Sequence, residues 1–330
     1  MKKNFIIFLL VTLSIALAGC LTVTDYYVLG VNDYQAGNYA KAIENFNLSI
    51  KDNPKNYRNY YNLGKVYGML GNHRKAIENY SEAIDLNDSD SLSYLNRGVE
   101  YVQIEEFAKA QKDFNKVIAL EPGNFMAYFG RAYLKSLNED YNGALSDYDS
   151  SAKYNPSYEK TYVNRGNVKG ELHDYPGAIE DYTKAIKIDS TDYNTYLIRG
   201  FDSALLEQFD FAINDFTKVI EIDSTNKDAY FFRGDAYRVV DDYTDALKDF
   251  TRIIELYPDE AKAYFKRGMT KIDMGEKDYA CSDLLQAGKM GYFDAYAEIE
   301  KYCKPKVKPK HNLKKSPKPG IKAPRLGVKL

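Results

Sequence analysis

Thiols, imidazoles and paired carboxylates are the side chains that most often carry chemistry, and in this chain they are sparse or dispersed. The 330 residues include three cysteines, Cys20, Cys281 and Cys303, and three histidines, His73, His173 and His311. There is no CxxC, and no Cys or His spacing suits a zinc site. GxSxG, HExxH and GxxxxGK[ST] segments are absent as well. Asp and Glu number 47, but they are spread along the chain in the manner of solvated helix faces. These patterns predict no catalytic residues, no metal and no cofactor, so the chain is read as non-enzymatic.

Cys20 has the most specific context of the three thiols. Lys2 and Lys3 form a short positive head, and Phe5 to Ala18 is apolar apart from Thr12 and Ser14. A bilayer-spanning helix needs about 20 apolar residues, so this run is short for a span. Its layout is that of a secretory signal. Leu17-Ala18-Gly19-Cys20 resembles the bacterial lipobox, in which the cysteine is lipidated on its thiol and becomes the first mature residue. That resemblance implies a signal peptide over 1–19 and a lipidated N-terminus over 20–22, with Cys20 as the attachment site. Each buried acyl methylene would contribute about 0.8 kcal/mol to membrane anchoring. In such lipoproteins of diderm bacteria, a residue other than Asp after the cysteine, here Leu21, implies the outer membrane, facing the periplasm. An ordinary cleaved signal with an incidental cysteine is the alternative.

The elements downstream follow a period of 34. Tyr recurs at 26, 60, 94, 128, 162, 196, 230 and 264, and Ala at 42, 76, 110, 144, 178, 212, 246 and 280. Four residues after each Tyr stands a small residue: Gly30, Gly64, Gly98, Ala132, Gly166, Gly200, Gly234 and Gly268. Each unit reads as two helices. In the fifth, Ala178, Ile179, Tyr182, Ala185 and Ile186 share one face, and a break falls at His173 and Asp174. Pro54, Pro122, Pro156 and Pro258 share one register at the end of a unit, where proline stops a helix. Close helix crossing needs a small side chain on one side, which Gly166 and Ala178 supply beside Tyr162, Tyr175 and Tyr182.

This pattern resembles the tetratricopeptide repeat, over residues 23–294, with units starting at 23, 57, 91, 125, 159, 193, 227 and 261. The resemblance implies an all-α superhelical solenoid of eight helix-turn-helix repeats with a concave inner face. Its stability would be roughly a sum of repeat and interface terms. The last unit departs from the pattern at Lys277, Leu284, Gly288 and Gly291, where the glycines are read as interruptions. Residues 292–303 read as a capping helix. Cys281 and Cys303 would then stand at similar heights on antiparallel helices, either bridged or as two separate thiols. The segment ACSDLLQAGKMGY is similar to those of tetratricopeptide proteins of the Bacteroidetes.

A second pattern runs in the same period. Arg97, Arg131, Arg165, Arg199, Arg233 and Arg267 accompany Asp113, Asp147, Asp181, Asp215, Asp249 and Asp283, while the first two units have Leu with Asn at both positions. These predict a structural ladder joining first and second helices; pairing with the preceding unit's Asp fits almost as well. Exposed rungs would contribute about 0–1 kcal/mol each.

In the resembled family the first helices line the groove. Carrying the register over gives Asn62, Lys65, Asn96, Val99, Tyr133, Asn164, Asn167, Ile198, Phe201 and Phe232 as the peptide-facing residues. Amides can bond an extended backbone and apolar members can form pockets; the aliphatics serve equally as inter-repeat core. The Lys/Asn/Arg carboxylate clamp known in the family is not supplied by any three successive units. The expected role is a scaffold or adaptor for protein or peptide partners, lipid-anchored at the bacterial envelope. An envelope assembly factor or chaperone is the alternative. Residues 304–330 hold ten Lys/Arg, five Pro and no acid, against 33 Lys/Arg and 47 Asp/Glu in the body once Lys2 and Lys3 are set aside. Such a segment is expected to be disordered. It suits anionic lipid or an acidic partner, or is merely a solvated tail; nucleic acid is not expected.

Overall fold

The computed structural model describes residues 25–303. The signal segment, Cys20, the first two residues of the opening repeat and the basic segment 304–330 lie outside the described residues. Among the described residues there are seventeen α-helices and no strand. In chain order they are α1 (Tyr26–Gln35), α2 (Tyr39–Asp52), α3 (Tyr57–Met69), α4 (His73–Leu86), α5 (Ser91–Gln103), α6 (Phe107–Leu120), α7 (Phe125–Leu137), α8 (Tyr141–Tyr154) and α9 (Glu159–Glu171). There follow α10 (Tyr175–Ile188), α11 (Tyr193–Leu205), α12 (Phe209–Ile222), α13 (Lys227–Val239), α14 (Tyr243–Leu256), α15 (Ala261–Asp273), α16 (Lys277–Lys289) and α17 (Asp294–Cys303). The fold is the all-α repeat array expected, with helix pairs every 34 residues. It divides into two compact units, one ending at Gly130 and one beginning at Arg131.

The small residues do what their spacing implies. All eight repeat alanines, from Ala42 to Ala280, are fully buried. A Cβ on Gly166 of α9 would stand 2.6 Å from the Tyr182 ring of α10, a distance no relaxed contact allows. The aromatic sixteen residues on therefore occupies the space that glycine leaves. In the first unit Ala42, Phe46, Leu63 and Val66 form one such core. In the second, Tyr230, Phe231, Ala246, Phe250, Ile253 and Ala263 form another.

Each helix pair reverses through one residue with positive φ. These are Gly37, Gly71, Glu105, Glu139, His173, Glu207, Asp241 and Gly275, all at one register. A left-handed backbone disfavours residues that carry a Cβ. Glu207 adopts φ 60° and, among the described residues, makes no side-chain bond that would hold it there. Glu207→Gly is expected to raise stability by about 0.5–1 kcal/mol, read as a higher urea midpoint. An unchanged or lower midpoint would mean the turn carries no such cost.

The last repeat differs in one respect from its expectation. Gly288 does not interrupt α16 but lies inside it, and a Cβ there would meet Ile299 of α17 at 2.9 Å. It lets the terminal helix approach. Only Gly291, with φ 86°, ends the segment. The capping helix begins at Asp294, two residues later than its pattern suggests, and Tyr292 lies before it with its ring tilted against Phe265, centroids 5.0 Å apart. Ala295 and Ile299 cover the core of the final repeat. A disulfide joins Cys281 of α16 to Cys303 of α17 across 22 residues of sequence. Closing a loop of that length restricts the unfolded chain by roughly 3 kcal/mol. Reduction by dithiothreitol should destabilise α17 by that order, seen as faster amide exchange across 294–303. Unaltered exchange would show that packing alone holds the cap.

Candidate functional site

The first helices of the pairs carry the residues named for the groove, and each unit places its own set. In the first unit Asn62, Lys65, Asn96 and Val99 are all half-buried. Their polar groups are already engaged. Asn62 Nδ2 donates to Arg58 O at 2.9 Å and to the Tyr27 hydroxyl at 3.3 Å. One repeat on, Asn96 Nδ2 donates in the same way to Leu92 O and the Tyr61 hydroxyl. The Lys65 ammonium lies 4.6 Å from the centre of the Tyr34 ring. These contacts join neighbouring first helices, so the amide N–H groups expected to meet a peptide backbone are spent holding the wall together.

The second unit departs further from the sequence reading. Asn164, Ile198 and Phe201 retain 5%, 6% and 8% of their surface. They belong to the packed interior rather than to an open wall, because neighbouring helices cover them. Ile198 packs with Tyr162, Val163, Ala178, Tyr182 and Ala185. Asn164 Nδ2 bonds Lys160 O within its own helix. Tyr133, Asn167 and Phe232 remain half-buried. Phe201 and Phe232 meet edge to face at 5.5 Å, and Phe232 also lies 5.6 Å from Phe216. Asn167 Oδ1 accepts from the Tyr182 hydroxyl at 3.0 Å.

Beneath these faces runs the Arg–Asp ladder. Each Arg forks onto the Asp of its own repeat, as Arg165 does onto Asp181, with Nη2 at 2.5 Å and Nε at 2.9 Å. Pairing with the preceding repeat's Asp does not occur. The third Arg nitrogen instead reaches a residue two positions beyond it. Arg97 meets Ser81, Arg165 meets Asp149, and Arg199, Arg233 and Arg267 meet Thr183, Thr217 and Thr251. Each of these arginines therefore ties three helices. Nor are the rungs exposed: Asp113, Asp147, Asp181, Asp215, Asp249 and Asp283 are all buried.

Five of the rungs fall into two electrostatic kinds. Lys135, Lys169 and Lys271 add a second cation to Asp147, Asp181 and Asp283. Burial alone would raise these carboxyls, but two cations hold each below the usual carboxylate range. Asp215 and Asp249 have only their Arg, and there burial prevails and the carboxyl is raised. No pattern singled out Asp202 of α11. It is 94% buried, and burial alone pushes its carboxyl up to about 7. Among the described residues no group of His, Cys, Asp or Glu is placed to hold a metal.

Packed helix pairs at a 34-residue period, with a small residue where each pair crosses, define a helical repeat array. The chain is a tetratricopeptide repeat protein. Models described as tetratricopeptide repeat match residues 57–90, 92–124, 159–192 and 233–270, and one described as TPR repeat matches 32–71. No curated protein matches it. Among solved structures, the C-terminal part of a TPR repeat-containing protein from Cytophaga hutchinsonii is similar with TM-score 0.61 and 16% identity, over 73% of this chain and 98% of that one. Pseudomonas aeruginosa pilF gives TM-score 0.54 and 16% identity, over 61% and 92%. YrrB, described as a TPR protein with an unusual peptide-binding site, gives 0.51 and 22%, over 56% and 95%. At these identities the likeness is one of fold.

Proposed function

We propose that the protein is a non-enzymatic scaffold that binds protein or peptide partners on the first-helix faces of its repeats, held at the bacterial envelope by lipid on Cys20. The observation that carries the reading is the array itself. Its first helices present half-buried Asn, Tyr and Phe side chains at a constant period, and their backbone and ladder contacts hold that surface rigid before any partner arrives. A preorganised surface loses little entropy on binding. The peptide-binding site named for YrrB supports the same use of the fold. The Cys281–Cys303 disulfide fits an oxidising compartment, as an exported lipoprotein would meet. With Leu21 after the cysteine, the outer membrane on its periplasmic side is the proposed address.

The test has two parts. Cys20→Ser should move the protein from the membrane to the soluble envelope fraction; retention in the membrane would place the anchor elsewhere. Crosslinked pull-down from the envelope should recover a few defined proteins, lost when Phe232 and Tyr133 are replaced by Ala. Recovery of many unfolded clients, with suppression of their aggregation, would replace the scaffold by a chaperone.

A further inference from the structure

Asp202 is a buried residue whose carboxylate has no partner among the described residues. It lies in α11 with 6% of its surface exposed, and no donor bonds its carboxylate among the described residues. It faces Gly170 of α9. A Cβ built on Gly170 would lie 3.5 Å from Asp202 Oδ2 and 3.9 Å from the Tyr182 hydroxyl. The carboxylate and the phenol oxygen thus border one small gap that glycine leaves open. The phenol cannot supply the missing proton, because its O–H donates to Asn167 Oδ1 at 3.0 Å. Two acceptors face the gap and no donor stands between them. Among the described residues burial alone moves the Asp202 carboxyl, with no charged neighbour acting on it; Arg199 on its own helix is committed to Asp215 of α12, and the atoms nearest the Gly170 face are Asp202 Oδ2 and the Tyr182 hydroxyl.

The chain contains a completed version of this arrangement. Glu100 of α5 stands at the register of Asp202, and Gly68 of α3 at the register of Gly170. An acid occurs at the first register only in these two repeats, and each time the facing residue is glycine. A Cβ on Gly68 would lie 2.5 Å from Glu100 Oε1. There the chain supplies its own partner, since His73 Nδ1 lies 2.7 Å from Glu100 Oε2. The register of His73 is filled in the other place by Tyr175, whose hydroxyl is engaged by His173. The same carboxylate geometry is thus closed by an imidazole once and left open once.

We propose that the gap over Gly170 is a subsite for a lysine-type ammonium group, received by the Asp202 carboxylate with the Tyr182 oxygen as second acceptor. An ammonium is compact and carries three donors, which suits a gap of one-methyl size; a guanidinium is a broad planar fork. The reading of the first-helix faces as a peptide surface is needed only to say that a peptide brings the lysine. The ammonium chemistry is tested without it.

The probe is n-butylammonium chloride added to the full chain with 13C-labelled aspartate carboxyls, against n-butanol and matched sodium chloride. The Asp202 carboxyl, which burial alone holds at about 7, should titrate about one pH unit lower in the amine and unchanged in the two controls. Asp202→Asn should weaken amine binding about tenfold or more. Gly170→Ala fills the gap at ordinary contact distances and favours the helix. It should abolish the shift while raising Tm by about 2 °C, a combination that damage to the fold would not produce. An equal shift with butanol or sodium chloride, no shift with the amine, or undiminished binding by both variants would overturn the proposal and leave the gap to water. A further arm identifies the source. In a full chain whose Lys and Arg from 304 to 330 are Gln, a rise of the Asp202 titration without probe assigns the ammonium to the chain's own basic segment. An unchanged titration, with lysine peptides competing against butylammonium, assigns it to a bound peptide. Failure of peptides alone would reject the peptide surface and leave the amine subsite standing.

Discussion

Asp181→Ala is expected to cost about 3 kcal/mol of stability, because it leaves two half-buried cations without their buried carboxylate. Asp181 is fully buried, and it alone takes Arg165 as a fork and Lys169 at 2.7 Å. Arg165 would retain Asp149, which is mostly exposed and a poor substitute. Lys169 would keep only its contact to Gly177 O at 3.4 Å. Replacing the whole rung, with Arg165→Met, Lys169→Met and Asp181→Leu together, should recover most of the loss, since no charge is then left unpaired. Urea denaturation of the single and triple variants measures both. A single variant within about 1 kcal/mol of wild type would reduce the rung to an exposed ion pair. The pH sense follows from the direction in which the carboxyl is moved. Asp181 is held below its unfolded value, so its stabilisation is present above that value and is lost as pH falls through the folded one. The rungs at Asp147 and Asp283 share this sense; those at Asp215 and Asp249, raised by burial, have the opposite one.

Asp202→Asn is expected to stabilise the protein, and increasingly so as pH rises. The folded Asp202 carboxyl titrates near 7, against an ordinary value of 3.8 when unfolded. The folded state therefore holds its proton where the unfolded state has released it. Stability contributed by the neutral form is full below about pH 4 and is lost progressively up to about pH 7. Raising a carboxyl from 3.8 to about 7 corresponds to about 4 kcal/mol. The difference in unfolding free energy between variant and wild type should thus grow by about that much between pH 4 and pH 8. Any fixed cost of burying the asparagine amide cancels in that comparison. A difference independent of pH would mean that a donor reaches the carboxylate in solution.

Much of the fold is legible because a repeat states its own rules many times. Tyr162, Gly166, Ala178 and Tyr182 recur as types at constant spacing, and only a helix pair that crosses closely needs a large and a small residue in that alternation. The Arg–Asp match was visible for the same reason, since two positions change together. The faces were less legible. Asn62, Asn96 and Asn164 share a register, but whether an amide faces solvent or a neighbouring Tyr depends on the next helix. Ile198 and Phe201 are buried by contacts that the period of their own helix does not encode.

Periodicity in the sequence determines the helices, their pairing, the turn register and which positions form the Arg–Asp ladder, because all are local or separated by one fixed interval; which Asp each Arg takes was settled by the packing. Tertiary structure decides what those groups become. Burial turns the ladder from surface decoration into a tie across three helices. The presence or absence of one lysine sets the sign of the response to pH at the rungs of Asp147, Asp181, Asp215, Asp249 and Asp283. An aspartate that reads as one more helical residue is left facing a glycine gap without a donor. These outcomes depend on solvent exclusion and on what stands across the interface, and neither is a property of spacing along a single chain.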